Sequence, residues 1–294
     1  MNGLHRAAPL VAQTWLAVLA LLPCASHAAD YSVYGAVIAG SALQFNNQLP
    51  EGGPDVGSSF RFTDEPQALQ PNALQAVSTV SKGMGKAMFL GSIGSLKAYA
   101  FATFADGVGP FNFPLFSGQA KGEAGGDFYD RLTVTGAGLA VGTPVSYRLD
   151  FSIDGTLSSP SFEPSYLATF ARATVRLTDL DLGRRVEFTW LAGANAPGLY
   201  SLTLATQVGS TLLIEGSLAA SAKVDAFART GRIAEADFYH SALYSLAPSV
   251  LGLNTLGASG HDFLAPVPEN GTRIMLALGL AALGLARRHG RGVR

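Results

Sequence analysis

From Val145 to Ile153 apolar and polar side chains change places at every step. Val145, Tyr147, Leu149, Phe151 and Ile153 point one way, and Ser146, Arg148, Asp150 and Ser152 the other. A chain with that period can only be extended, because successive side chains of a strand leave opposite faces, whereas a helix repeats every 3.6 residues. The pattern recurs in Arg131–Thr135, in Ala171–Leu177, in Val186, Phe188 and Trp190, and in Tyr200, Leu202, Leu204 and Thr206. Leu212–Phe227 is a longer, Ala/Ser-rich run with a bend expected at Gly216. Turn residues separate the runs, at Asp181-Leu182-Gly183, Gly193–Gly198 and Gly209-Ser210, and Asp154-Gly155 reads as a further turn. Strands with one apolar and one polar face bury the apolar one by stacking two antiparallel sheets. The expected fold is therefore all-β, an antiparallel β-sandwich or jelly-roll-like body over residues 66–266.

Two segments depart from that pattern. Residues 44–65 are rich in Gly, Pro, Asn and Asp without alternation, so 29–65 is expected to be an exposed arm or loop. Residues 66–80 are the one place where a short helix is expected, interrupted by Pro71. With 48% apolar and 14% charged residues the chain is not disordered by composition. A net charge of -1 lacks the basic footprint of a nucleic-acid binder, so no nucleic-acid partner is expected.

The ends differ in kind from the body. His5 and Arg6 precede the apolar stretch Thr14–Leu22, Pro23 breaks it, and Ser26-His27-Ala28 offers small residues for a cleavage site. Residues 1–28 therefore read as a signal peptide, cut after Ala28 or, as second choice, Ala29. Cys24, the one cysteine, would leave with it, so the mature chain would hold no disulfide or thiolate. At 267–294 the polar group Val267-Pro268-Glu269-Asn270 leads into the uncharged run Ile274–Ala286, then Arg287, Arg288, His289, Arg291 and Arg294. At about 1.5 Å per residue that run reaches about 20 Å as a helix, short for a bilayer core of about 30 Å. Flanking Arg273 and Arg287 can snorkel to extend it. Arg287, Arg288 and Arg291 act as a stop-transfer element by the positive-inside rule, leaving the body in the periplasm.

The order of motif, apolar run and basic end resembles the PEP-CTERM sorting tail of Gram-negative, exopolysaccharide-producing bacteria. Val267, Pro268 and Glu269 match the Val-Pro-Glu-Pro core, and Asn270 stands where the family has its second proline. The resemblance implies a short C-terminal transmembrane helix and recognition by exosortase, a membrane-embedded cysteine protease or transpeptidase that cuts near the motif. Its implied partners are exosortase, the secretion machinery and the inner membrane, with exopolysaccharide as a candidate ligand. The implied course is export, transient anchoring facing the periplasm, then the cell surface or extracellular space. The implied role is a structural or binding component of the extracellular matrix, with a carbohydrate-binding or carbohydrate-active sandwich as the alternative.

Catalytic chemistry is hard to find in the body. No Gly-x-Ser-x-Gly elbow or phosphate-cradling loop occurs. Outside the expected signal and tail only His240 and His261 remain, and His261 and Asp262, being adjacent, would point to opposite faces of a strand. Glu163, Glu187, Glu215 and Glu235 supply carboxylates, yet nothing in their spacing selects the pair a glycosidase needs. No enzyme, no catalytic residue, no cofactor and no metal are expected. Weak ligand candidates remain. Asp179 and Asp181 share one side of a strand end but are too few for calcium. Tyr129 and Tyr239 sit in the echoing segments Asp127-Phe128-Tyr129-Asp130 and Asp237-Phe238-Tyr239-His240. Their aromatics are expected to open equivalent strands of two sheets and cap the core, with sugar stacking as the sharper option.

Overall fold

Alternation resolves into strands that run antiparallel at every pairing. The computed structural model describes residues 29–45, 51–52, 54–104, 116–158, 169–225 and 232–264. The expected signal peptide, with Ala28, and the tail at 267–294 lie outside the described residues. In chain order the strands are β1 Tyr31–Phe45, β2 Glu51–Gly52, β3 Val56–Thr63, β4 Asn72–Val80, β5 Gly83–Ser92, β6 Ser95–Phe104 and β7 Phe116–Thr133. They continue as β8 Pro144–Ser158, β9 Phe170–Asp179, β10 Arg184–Leu191, β11 Gly198–Gln207, β12 Thr211–Asp225 and β13 Arg232–Pro248.

One sheet runs β10-β9-β12-β7-β1, with β2 and β3 both on the far edge of β1; the other runs β11-β8-β13-β6-β5-β4. Their apolar faces stack as a β-sandwich, as expected. Val145, Tyr147, Leu149, Phe151 and Ile153 of β8 are all buried, as are Ala171, Ala173, Val175 and Leu177 of β9. Among the described residues no helix is long and apolar enough to cross a membrane.

Three expectations are corrected. The described residues of 29–65 are not an arm but strands β1, β2 and β3. β1 lies between β3 and β7, and β3 pairs with it from Ser32↔Thr63 to Ala39↔Val56. Main-chain hydrogen bonds hold such a strand whatever its side chains, so small residues hid the pairing. Residues 66–80 are a single 3-10 turn, Pro66–Leu69, followed by β4. Pro71 stops the turn, and Leu74, Ala76, Ser78 and Val80 then alternate with exposed neighbours. Asp154-Gly155 is not a turn, since β8 continues through it to Ser158. Gly155 is there for clearance: a Cβ would stand 2.3 Å from the Phe238 ring and 2.5 Å from the Asp237 carbonyl. Phe238 sits where the pairings of β13 with β6 and β8 shift register, a bulge that brings its ring across β8.

The core has a thick half and a thin half. In the thick half aromatic rings fill the space. Tyr244 meets Phe128 edge-on at 4.9 Å and Phe151 at 5.2 Å, and Trp190 meets Phe238 at 5.3 Å between centroids. Each such ring contributes about 1.5–3 kcal/mol by leaving water. In the thin half the facing residues are Gly85 and Ala87 of β5, Ala98, Ala100 and Ala102 of β6, and Gly122 and Ala124 of β7, all buried. There backbone meets backbone across the sandwich. A Cβ on Gly85 would lie 2.0 Å from the Lys121 carbonyl, and one on Gly122 would lie 2.0 Å from that of Lys86. Stacked sheets ordinarily stand about 10 Å apart. This closer approach leaves no inward room for large side chains at those positions, where Lys86, Met88, Tyr99 and Phe101 point outward, although Phe89, Leu96 and Phe104 of the same strands are buried in the core.

Candidate functional site

Asp179 and Asp181, at the turn between β9 and β10, act as hydrogen-bond acceptors for the chain itself. Asp179 Oδ1 accepts the backbone N–H of Asp181 at 3.0 Å and of Leu182 at 2.8 Å, and Oδ2 accepts the Thr206 hydroxyl at 2.5 Å. Asp181 Oδ2 accepts the N–H of Thr211 at 2.6 Å. Burial of Asp179 works against its charge, but these donors outweigh it and hold the carboxyl below its ordinary value. The pair ties the β9–β10 turn to β11 and β12. No cluster of metal-ligating side chains occurs among the described residues.

Glu187 and Glu215 share one guanidinium. Arg176 Nε donates to Glu187 at 2.9 Å and its Nη1 to Glu215 at 3.3 Å. That places both carboxylates on the outer face of the first sheet, where partly exposed pairs of this kind contribute about 0–1 kcal/mol. His261 is largely enclosed, edge-on to Phe263 at 4.6 Å, and burial keeps its imidazole below its ordinary pKa and neutral. Asp262 turns away, accepting the Thr255 hydroxyl at 2.7 Å and the Leu264 N–H at 3.0 Å, as adjacent residues on extended chain should.

Two acids not singled out for chemistry are strongly perturbed. Asp130 is fully buried and is pushed up to about 6 by burial, against the hydroxyl and N–H of Ser259 that it accepts. Asp127, on the outer face of β7, is likewise raised to about 6 by burial, with Arg61 opposing and Glu215 adding to the shift.

The two echoing segments lie inside strands rather than opening them, on opposite sheets. Phe128 of β7 and Phe238 of β13 are buried, while Tyr129 and Tyr239 face outward and half-exposed. The structure does not bring the two tyrosines together. Tyr239 instead joins residues that the sequence pattern concealed. On the outer face of the second sheet Met88, Tyr99 and Asp237 are directly opposite one another across β5, β6 and β13, and the next row is Lys86, Phe101 and Glu235. Tyr99 donates its hydroxyl to Glu235 Oε1 at 2.9 Å, and Phe101 lies parallel to it within 6°, 6.5 Å away. Burial and that bond raise the phenol well above its ordinary range, so it stays a donor. Lys86 Nζ stands 5.6 Å from the Tyr99 ring centre. Lys86, Met88, Tyr99, Asp237 and Tyr239 line an open depression of about 280 Å³. A second depression, of about 380 Å³, lies at the end of the first sheet among Asp30, Arg131, Thr133, Asn254 and Gly257.

The missed signal is Ala98-Tyr99-Ala100-Phe101-Ala102 beside Gly83-Met84-Gly85-Lys86-Ala87. Both alternate large with small, and only the sheet spacing shows that the small residues face in. Compared with known proteins, the chain matches no family model, no curated protein and no solved structure.

Proposed function

We propose that this chain is an exported protein of the bacterial surface or extracellular matrix, sorted through residues 267–294, with a non-enzymatic structural or binding body. The observation that carries the reading is the order Val267-Pro268-Glu269, the apolar run Ile274–Ala286 and the arginines after it. The body is compatible with being cut there. Phe263, next to the end of the described residues, is fully buried, donates its N–H to the Thr255 carbonyl and accepts from Leu246. A break near Val267 would thus remove none of the described strands. Glu187 and Glu215 are tied into a shared ion pair and Asp179 and Asp181 into their turn, which favours a scaffold over a catalyst. The test is release from cells that hold an exosortase. Replacing Pro268 and Glu269 with alanine should leave the protein in the membrane fraction with its tail uncut. Unchanged release, read by intact mass, would refute the sorting reading.

A further inference from the structure

We infer that the depression on the outer face of the second sheet is a binding site for a neutral saccharide. A half-solvated antiparallel sheet normally turns its apolar side chains inward and its polar ones out. Along part of β5, β6 and β13 this is inverted: Gly85, Ala87, Ala98, Ala100, Ala102, Ala234 and Ala236 face the core, while Met84, Met88, Tyr99, Phe101 and Ile233 stand outside. The thin core explains why large residues cannot point in at those positions. It does not require that the outward ones be aromatic or apolar.

The lining suits a polyhydroxylated ring. Tyr99 and Tyr239 offer aromatic surface to the C–H face of a sugar, and Met88 adds an adaptable apolar edge. Asp237 is an acceptor and Lys86 a donor beside the same space, so hydroxyl groups find both kinds of partner. One cation against one anion at the lining gives no net charge for an ionic ligand, which selects an uncharged one. Tyr99 is fixed in place by Glu235 and backed by Phe101, so little freedom is lost on binding. At about 280 Å³ the depression falls just under the ~300–1,000 Å³ of small-molecule pockets, matching one ring of an open-ended chain rather than a whole enclosed ligand. The site does not depend on how the chain is sorted.

The experiment is calorimetric titration of the full chain, held in mild detergent, with neutral hexasaccharides of β-1,4-linked glucose, β-1,3-linked glucose and β-1,4-linked mannose. At least one should bind saturably. Tyr99→Ala and Tyr239→Ala should each weaken it about tenfold or more, about 1.4 kcal/mol. Tyr99→Phe, which keeps the ring, should stay within about threefold. Tyr129→Ala, on the opposite sheet, should bind as the unaltered chain does. Circular dichroism confirms that each variant is folded. The inference is overturned if none of the three sugars binds, or if binding is indifferent to Tyr99→Ala and Tyr239→Ala. It is equally overturned if the face drives self-association, seen as a sedimenting dimer that Tyr99→Ala dissociates.

Discussion

Gly122→Ala tests the thin half of the core directly. The new Cβ would lie 2.0 Å from the Lys86 carbonyl oxygen and 2.9 Å from that of Phe101, both backbone atoms of the facing sheet. Real Cβ contacts do not fall below 3.0 Å, so the sheets must separate there by roughly 1 Å. A gap of 0.5–1 Å forfeits about a quarter to a half of each dispersion contact across it. The alanines of β6, with Ala87 and Ala124, would all lose contact at once. We expect a loss of about 3 kcal/mol, the upper part of the usual range for overpacking. For a domain of this size that lowers Tm by about 6–12 °C. Gly85→Ala meets the Lys121 and Gly40 carbonyls at 2.0 and 2.6 Å in the same crossing. Once the sheets have parted for one methyl they accommodate the other, so the double variant should lose clearly less than the sum of the singles. Gly138→Ala is the contrast, with φ +77° but nothing within 4 Å, and should lose only about 1–2 kcal/mol. The measurement is thermal and urea unfolding of the four variants beside the unaltered chain. A Gly122→Ala shift under about 2 °C, or strict additivity with Gly85→Ala, would refute backbone-to-backbone packing of the sheets.

The perturbed acids give a pH prediction. Asp127 is raised from 3.8 to about 6, so its stabilising protonated form is complete below its unfolded value and lost as pH rises through about 6. Asp127→Asn should therefore stabilise the protein by about 1–2 kcal/mol at pH 7.5, after allowance for its partial solvation, and by nearly nothing at pH 4; an equal effect at both would contradict the burial argument. Asp179→Ala strands the N–H groups of Asp181 and Leu182 and the Thr206 hydroxyl, a loss of about 3 kcal/mol. EDTA should leave the unaltered chain's Tm unchanged, and a drop of several degrees on chelation would replace the turn-tying role with a cation site.

How much of this was readable in the sequence depended on where each residue's partner lay. β8 could be read outright, because Val145 to Ile153 alternate by hydrophobicity and the apolar set is the buried set. β1 could not, because Gly35, Ala36 and Ala39 carry no contrast and its place is decided by hydrogen bonds to residues 56–63 and 116–130. Gly155 looked like a turn because the ring it must clear, Phe238, arrives from a strand more than 80 residues away. Tyr239 was nominated from a local echo, yet the residues around it, Lys86, Met88 and Tyr99, come from strands that the echo does not touch.

What the sequence determined by itself was the extended period of the body, its all-β antiparallel class, and the chemical contrast between that body and its two flanks. These are properties of neighbouring residues, written in side-chain order and in the incompatibility of apolar runs with water. What only the tertiary structure decided was facing. Alternation says that two sets of side chains point apart, and it is silent on which set the second sheet will cover. Where Gly85, Ala87, Ala98, Ala100 and Ala102 let the backbones close in, the core filled with the small set, and Tyr99, Phe101, Met88 and Lys86 were left outside on the face proposed to bind sugar.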